Sequence, residues 1–269
     1  MQSKNVSVYG IDGSKKTSIA VPSVFFTPIN EKLIKRAVLS TESAERQPKG
    51  RKKLAGRNYS ARYYGRRSLP NDRKSINTDR ARLPRKKNRR AILSGDVANV
   101  PQAVGGPRVI VPKVQKILHE RINKKERRAA LLSAVASTLN LEWIQRRHVV
   151  DGNIELPFIV ESGFEDLNKT QKVINALKAL KLYADIESAK GKRRTKAGRG
   201  KTRGRKFKQK KSILIVTGKQ ARVYKASRNI PGVDICPIQK LNTRLLAPGT
   251  QPGRLVVWSE TAIKVMETW

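Results

Sequence analysis

Cysteine occurs once in this chain, at Cys236, so no internal disulfide can form and nothing in the thiol content speaks for secretion. Histidine occurs only at His119 and His148. Two histidines and one cysteine cannot complete a usual zinc site. No apolar run approaches the ~18 residues needed to span a bilayer. The stretch from Met1 to Tyr9 lacks the apolar core of a signal peptide. Acids are scarce, with 20 Asp/Glu against 59 Lys/Arg in 269 residues. These absences lead to the expectation of a soluble intracellular protein with no metal, no cofactor and no membrane partner.

What is present is positive charge, formally +39, and it is concentrated. Residues 46–94 hold 18 Lys/Arg against Asp72 and Asp79, and residues 190–211 hold 13 Lys/Arg and no acid. Segments of one charge repel themselves and bury too little apolar surface to fold alone. They are expected to gain shape where a dense polyanion neutralises them. Nucleic acid fits, because its binding is driven by release of condensed counterions. The remainder of the chain has enough Val, Ile, Leu and Ala for one core.

Along that remainder, Val6, Val8, Thr17, Ile19 and Val21 alternate around Asp12-Gly13, which predicts a hairpin. Thr27-Pro28 predicts a helix start, with a stripe of Ile29, Leu33, Ala37 and Val38 ending near Ser40. Residues 41–112 show neither period and are punctuated by Gly and Pro. Structureless loops beyond ~12–15 residues are uncommon and usually functional or disordered. A flexible linker would be Gly/Ser-rich or acidic, whereas this one carries Arg and Tyr59, Tyr63 and Tyr64. About 30 residues out and back can reach at most ~100 Å. The segment reads as a long probe that orders inside RNA.

The body resumes at Lys113 with a short helical turn at Val114, Ile117 and Leu118. Asn123 and Glu126 resemble a capping pair before a stripe of Ala129, Leu132, Val135, Ala136 and Leu139. Ile154–Glu161 is strand-like, with Pro157 arguing for an edge or an irregular start. Asn168 and Gln171 are candidate caps for a helix striped by Val173, Ile174, Leu177 and Leu180. Ser212–Thr217 is a continuous apolar strand of the kind covered on both faces. Val233–Ile238 and Arg254–Trp258 are further strands, and 222–228, 242–246 and 259–266 are short helices. Strand and helix alternating at this spacing predict an α/β fold with a Rossmann-like, mostly parallel sheet flanked by helices. The expected organisation is a single α/β body over 1–269, with a long extended loop at 41–112 and a second basic loop at 190–211 inserted in it.

Candidate catalytic chemistry is thin. Ala197–Thr202 resembles the end of a P-loop, but Thr195 stands where its first Gly belongs and no strand-to-helix context surrounds it. Gly198, Gly200 and Gly204 read as spacing that lets backbone approach phosphates. No Gly-x-Gly-x-x-Gly follows a strand. Cys236 and Trp258 read as core residues, and Trp143 as half-buried. His119 and His148 have no partner in the pattern and read as surface or RNA-contact residues. Asp185 and Glu260 lie near helix starts, where a dipole or cap role suffices. No catalytic residue is expected.

Several stretches in order resemble the universal large-subunit ribosomal protein L-four family, in its archaeal and eukaryotic branch. Gln47-Pro-Lys-Gly-Arg51, Ala55-Gly56, Ser60-Ala61 and Tyr64-Gly65 resemble the start of that family's long loop. Arg82-Leu-Pro-Arg85 and Gly105-Gly-Pro-Arg108 with Pro112 resemble its later parts. Asn123-Lys-Lys-Glu-Arg127 with Leu132–Ala136 is similar to the following helix. Ala197–Lys201 with Arg203–Phe207 is similar to the second basic loop. Arg228–Gly232, Leu241-Asn242, Leu246–Gly249, Pro252–Leu255 and Ser259-Glu260 continue in the family's order. Ser68–Arg90 is more basic and poorer in Gly than the family's loop. The chain ends soon after its last helix, which points to an archaeal or a reduced eukaryotic source.

The resemblance implies an α/β body on the large subunit, a loop through the rRNA that lines the peptide exit tunnel, and a role in subunit assembly. It implies as partners large-subunit rRNA, neighbouring ribosomal proteins including the L-twenty-two protein, and the nascent peptide, in cytoplasmic ribosomes. The residues expected to contact RNA lie in two groups. The long loop contributes Lys49, Arg51, Lys52, Lys53, Arg57, Arg62, Tyr63, Tyr64, Arg66, Arg67, Arg82, Arg85, Lys86, Lys87, Arg89, Arg90 and Arg108. The second loop contributes Lys192, Arg193, Arg194, Lys196, Arg199, Lys201, Arg203, Arg205, Lys206 and Phe207. Lys and Arg would neutralise phosphates, while Tyr63, Tyr64 and Phe207 would stack on or wedge between nucleotides. The rival readings are an RNA-modifying enzyme, for which no cofactor loop is visible, and a chromatin- or nucleoid-type DNA binder. Long Gly/Pro-punctuated loops suit folded RNA better than a duplex.

Overall fold

The structure, a computed structural model, describes residues 5–62, 81–86, 95–150, 152, 154–267 and 269. The chain divides into two compact units, Met1–Glu45 with His119–Trp269, and Arg46–Leu118.

The larger unit begins with the expected hairpin, β1 (Asn5–Tyr9) and β2 (Lys15–Ala20), paired antiparallel. The first helix, α1 (Glu31–Ala44), starts later than expected and runs past Ser40. Its cap is Asn30, whose side chain accepts from the Leu33 N–H at 3.1 Å. Thr27 instead closes a 3-10 turn over Ser23–Phe26, its hydroxyl donating to the Val24 carbonyl. The buried stripe is Ile34, Ala37 and Val38, with Ile29 left exposed before the helix.

The second helix, α2 (Lys124–Ala136), has the anticipated capping box, with the Asn123 N–H donating to Glu126. Of the expected stripe, Val135 and Ala136 are buried, but the first turns of the helix bury residues one position further on. Ala130, Ser133 and Ala134 are buried, while Ala129 is exposed and Leu132 only partly covered. Small residues there let α2 lie close to α1, and the Ser133 hydroxyl accepts from the Asn30 N–H at 2.7 Å.

The remaining elements are α3 (Leu141–Gln145), β3 (Phe158–Val160), α4 (Thr170–Ala179), α5 (Tyr183–Gly191), β4 (Arg194–Thr195), β5 (Phe207–Lys208), β6 (Leu214–Thr217), α6 (Val223–Ser227), β7 (Asp234–Pro237), α7 (Thr243–Leu246), β8 (Val256–Ser259) and α8 (Glu260–Met266). Six strands form one sheet in the order β2-β1-β3-β8-β6-β7. All neighbours are parallel except β1 and β2. The α/β, mostly parallel architecture is therefore as the alternation implied. Pro157 marks an irregular start to β3, which lies inside the sheet between β1 and β8 rather than at an edge. Neither Asn168 nor Gln171 caps α4; Lys169 occupies that position and makes no side-chain cap bond.

Alternation along each inner strand divides the core between two faces. Leu214, Val216, Ile159, Val256 and Trp258 join Ile34, Val38, Val135 and Ile263 on one side. Ile213, Ile215, Phe158, Val160, Leu255 and Val257 join Val173, Leu177, Ile186 and Val223 on the other. Strands covered twice need no polar face, which is why Ser212–Thr217 reads as an unbroken apolar run.

In the smaller unit no helix or extended strand occurs among the described residues. Val114–Leu118 makes a turn rather than a helix, with Val114 and Ile117 exposed. The outgoing and returning chains meet where the Arg51 N–H donates to the Pro112 carbonyl at 3.3 Å. Gly56, at φ +78°, lies against the Arg108 carbonyl, where a Cβ would come within 2.9 Å. Further in, Arg85 pairs with both Arg62 and Val97 through isolated antiparallel bridges.

Candidate nucleic-acid interface

The second basic segment has a shape of its own, which corrects the expectation that it holds none without a polyanion. Residues 194–208 form a hairpin in which Arg194 faces Lys208 and Thr195 faces Phe207. The Lys196 N–H donates to the Lys206 carbonyl at 2.9 Å. A 3-10 turn over Arg199–Arg203 makes the tip, and Gly204 closes it at φ +76°. Ala197–Thr202 is thus a hairpin tip, outside the strand-to-helix setting of a P-loop.

Like charges opposite one another destabilise a strand pair. This hairpin therefore depends on its root. There Asp185, at the start of α5 and fully buried, gathers four donors. Its Oδ1 accepts from Lys210 Nζ at 2.6 Å and from the Val149 N–H at 3.0 Å. Its Oδ2 accepts from the Ser212 hydroxyl and lies 2.8 Å from His148 Nδ1. Burial pushes the Asp185 carboxyl up, but the hydrogen bonds from His148, Lys210 and Ser212 outweigh it and hold the group well below the usual carboxylate range. An ionised carboxylate only accepts, so Nδ1 of His148 carries the proton. Burial, together with Lys210 and Arg147, lowers the His148 pKa and keeps the ring neutral at pH 7.

His148 is therefore neither a surface residue nor an RNA contact, and Asp185 does more than complement a helix dipole. The serine bonds the carboxylate rather than the histidine, so the trio lacks the serine-to-histidine proton transfer of a hydrolase. Cys236, buried in β7, has its thiol pushed up to about 12 by burial and is inert.

Of the residues expected to contact RNA, Lys192, Arg193, Arg194, Arg199, Lys201, Arg203, Arg205 and Lys206 are exposed on the hairpin, and Lys196 is half-buried. Phe207 is 45% exposed, with the Arg193 guanidinium 4.0 Å above its ring. In the smaller unit Lys49, Arg51, Lys52, Lys53, Arg57, Arg62, Arg82, Lys86 and Arg108 are exposed. Arg85 is not: its guanidinium is buried and donates to the Gly95 and Ala81 carbonyls at 3.2 and 2.9 Å. Tyr63, Tyr64, Arg66, Arg67, Lys87, Arg89 and Arg90 lie outside the described residues.

Among the described residues, none of the exposed cations just named forms an ion pair. The ion pairs of the described residues all lie in the larger unit and, on the hairpin side, stop at Lys210 and Lys211. Also among the described residues, no group of acids, His or Cys could hold a metal, and no helix is long and apolar enough to cross a membrane.

The model of the ribosomal protein L4/L1 family matches residues 19–269. Large ribosomal subunit protein uL4 of Methanococcus vannielii is 45% identical over 264 residues, covering 98% of each chain. The protein of the same name from Archaeoglobus fulgidus is 43% identical over 264 residues, covering 97% of this chain and 98% of its own. That of Methanoculleus marisnigri is 43% identical over 258 residues, covering 96% of each. All three are archaeal, and their name is that of a structural ribosomal protein, not of an enzyme. With a family match across almost its whole length and relatives this similar, the chain belongs to the ribosomal protein L4/L1 family.

Proposed function

We propose that this chain is a structural constituent of the large ribosomal subunit that binds large-subunit rRNA through its two basic segments. The observation that carries this reading is the absence, among the described residues, of any acid paired with the exposed cations of the long segment or with those at 192–206 in the second, where pairing begins only at Lys210 and Lys211. Unpaired cations at this density are costly in an isolated protein and favourable beside phosphates, where each contact releases a counterion. The family resemblance adds the finer parts. The segment over 41–112 threads the rRNA, lines the peptide exit tunnel beside the L-twenty-two protein, meets the nascent peptide there and takes part in subunit assembly. The second basic segment, 190–211, with its hairpin at 194–208, braces the body against RNA. The protein works by neutralising and positioning RNA, without catalysis.

Crosslinking of residues 46–94 and 190–211 in intact ribosomes, mapped to nucleotides, tests this. Crosslinks from both segments to large-subunit rRNA are expected, those of the long segment at the tunnel wall. Crosslinks confined to the small subunit, or absent from both segments, would overturn the reading.

A further inference from the structure

Beside the hairpin root lies a hollow of about 500 Å³. It is bounded by Lys190 at the end of α5, by Arg193, Lys210 and Lys211 on the hairpin stem, and by Arg228 and Asn229 after α6. A second hollow of about 580 Å³ lies along the stem and shares Arg193 and Lys210 with the first. Together they make one concave, basic surface. Arg228 and Asn229 are absent from both basic segments and were not anticipated as RNA contacts.

The charge in this hollow is only partly spent. Asp234 is the one carboxylate among its described lining residues, and both its oxygens are occupied. Oδ2 accepts from Arg254 Nη2 at 2.7 Å, and Oδ1 from Lys211 Nζ at 2.8 Å. Lys210 is held by Asp185. Lys190, Arg193 and Arg228 have no acidic partner among the described residues.

The walls are fixed before any ligand arrives. The Gly232 carbonyl accepts from the Ser212 N–H at 2.8 Å, and Gly232 has φ +77°. A Cβ there would come within 2.8 Å of the Lys210 carbonyl and 2.9 Å of Ala189 Cβ. The loop after α6 is thus pressed onto the hairpin root, and the Asp185 cluster holds that root from behind.

Location and shape narrow the ligand. The hollow lies at the amino ends of β6 and β7, whereas nucleotide cofactors of open parallel sheets bind at the carboxyl ends. It also adjoins the carboxyl end of α5, where the helix dipole gives an anion no help. A duplex presents its phosphates on convex ridges with the bases stacked inside. Concavities of a few hundred Å³ suit one or two units of an unstacked chain instead. Arg193 borders both hollows and covers Phe207, which offers a planar guanidinium-on-aromatic shelf of the kind on which splayed bases stack.

We infer that the hairpin root is a binding site for an unpaired stretch of RNA, with a phosphate taken by Arg228 and Lys190 and a base stacked on the Arg193–Phe207 shelf. This rests on the rRNA-binding reading above and specifies which form of RNA this site takes.

The test uses the full chain, a short unpaired oligoribonucleotide carrying 2-aminopurine, a duplex RNA of equal length, and inorganic polyphosphate as competitor. The unpaired strand should bind with quenched fluorescence. Arg228→Ala should weaken that binding about fivefold or more while leaving duplex affinity within about twofold. Phe207→Leu should abolish most of the quenching. Both side chains are exposed, so thermal melts of the variants should match the parent. Equal loss for strand and duplex, no loss with Arg228→Ala, or displacement by polyphosphate with no quenching at any stage would each overturn the inference. Tight duplex binding with no binding of the unpaired strand would overturn the inference alone. Failure to bind either RNA would remove the rRNA-binding reading and the inference together.

Discussion

Lys210 Nζ lies 2.6 Å from Oδ1 of Asp185, so the return strand of the basic hairpin is tethered to a carboxylate buried in the body. The hairpin has no acid of its own, and its two strands repel. One buried charge, with three further donors on it, fixes the position from which the exposed cations project.

Asp185→Ala should therefore cost stability and order together. It leaves Lys210, Ser212 and the Val149 N–H without their acceptor, and breaking a buried ion pair in this way costs about 3 kcal/mol or more. The midpoint of urea unfolding should fall accordingly. Under native conditions limited trypsin digestion should accelerate at Arg199–Arg205. Unchanged digestion would mean that the hairpin holds its shape without the tether.

Acidification should weaken the same cluster in two stages. The His148 pKa is lowered on folding, so its contribution is complete above about pH 6.5 and declines as pH falls below that, because the unfolded chain takes up the proton first. The groups facing this ring are Asp185, which favours its protonation, and Lys210 and Arg147, which oppose it. The Asp185 carboxyl is also depressed, so its contribution is complete above about pH 4 and is lost as pH drops further. Unfolding midpoints at a series of pH values check this. His148→Gln should remove the decline that begins below about pH 6.5 and leave the more acidic one that begins below about pH 4.

Gly253→Ala should destabilise the body sharply. Gly253 has φ +88°, and a Cβ there would sit 2.5 Å from the Trp143 carbonyl oxygen. A strained backbone of this kind costs about 1–3 kcal/mol before the steric clash is added. Thermal melts give the value. A melting temperature equal to that of the parent would show that the chain near Trp143 can give way.

Arg82 and Arg85 belong to one sequence motif but should behave differently. Arg82 is exposed, whereas Arg85 is buried on the Gly95 and Ala81 carbonyls. Arg82→Ala should shrink the salt slope of rRNA binding by about 1, the signature of one lost phosphate contact. Arg85→Ala should leave the slope nearly unchanged and speed hydrogen exchange at the Arg62 and Arg85 amides, which bridge across the loop. Identical slope changes would place both residues on phosphates.

How much of this was legible in the sequence depended on how local the signal was. The doubly covered strand at Ser212–Thr217, the capping box at Asn123 and the βα alternation are short-range patterns, and each corresponds to an element of the structure. The start of α1 was misread because Thr27-Pro28 imitates a cap while Asn30 supplies it. The face of α2 was read correctly at Val135 and Ala136 but misread before them, where the contact is made by Ala130, Ser133 and Ala134, which carry little hydropathy. Helix α5 was foreseen only as a helix start near Asp185, without its extent, because it is short and weakly amphipathic. The hairpin was hidden because its composition is that of a solvated run of charge, and its pairing shows only in backbone bonds. The Asp185–His148 contact joins residues 37 apart, a separation with no sequence period. Of the expected RNA contacts, the exposed cations follow from charge alone, but the burial of Arg85 is a tertiary fact.

The most direct test is the dependence of rRNA affinity on salt for the whole chain. If the two segments together neutralise roughly 10 phosphates, log affinity should fall against log salt with a slope of about −7 to −9. A slope near −2 would mean that most of these cations never meet a phosphate, and would contradict the role assigned to both segments.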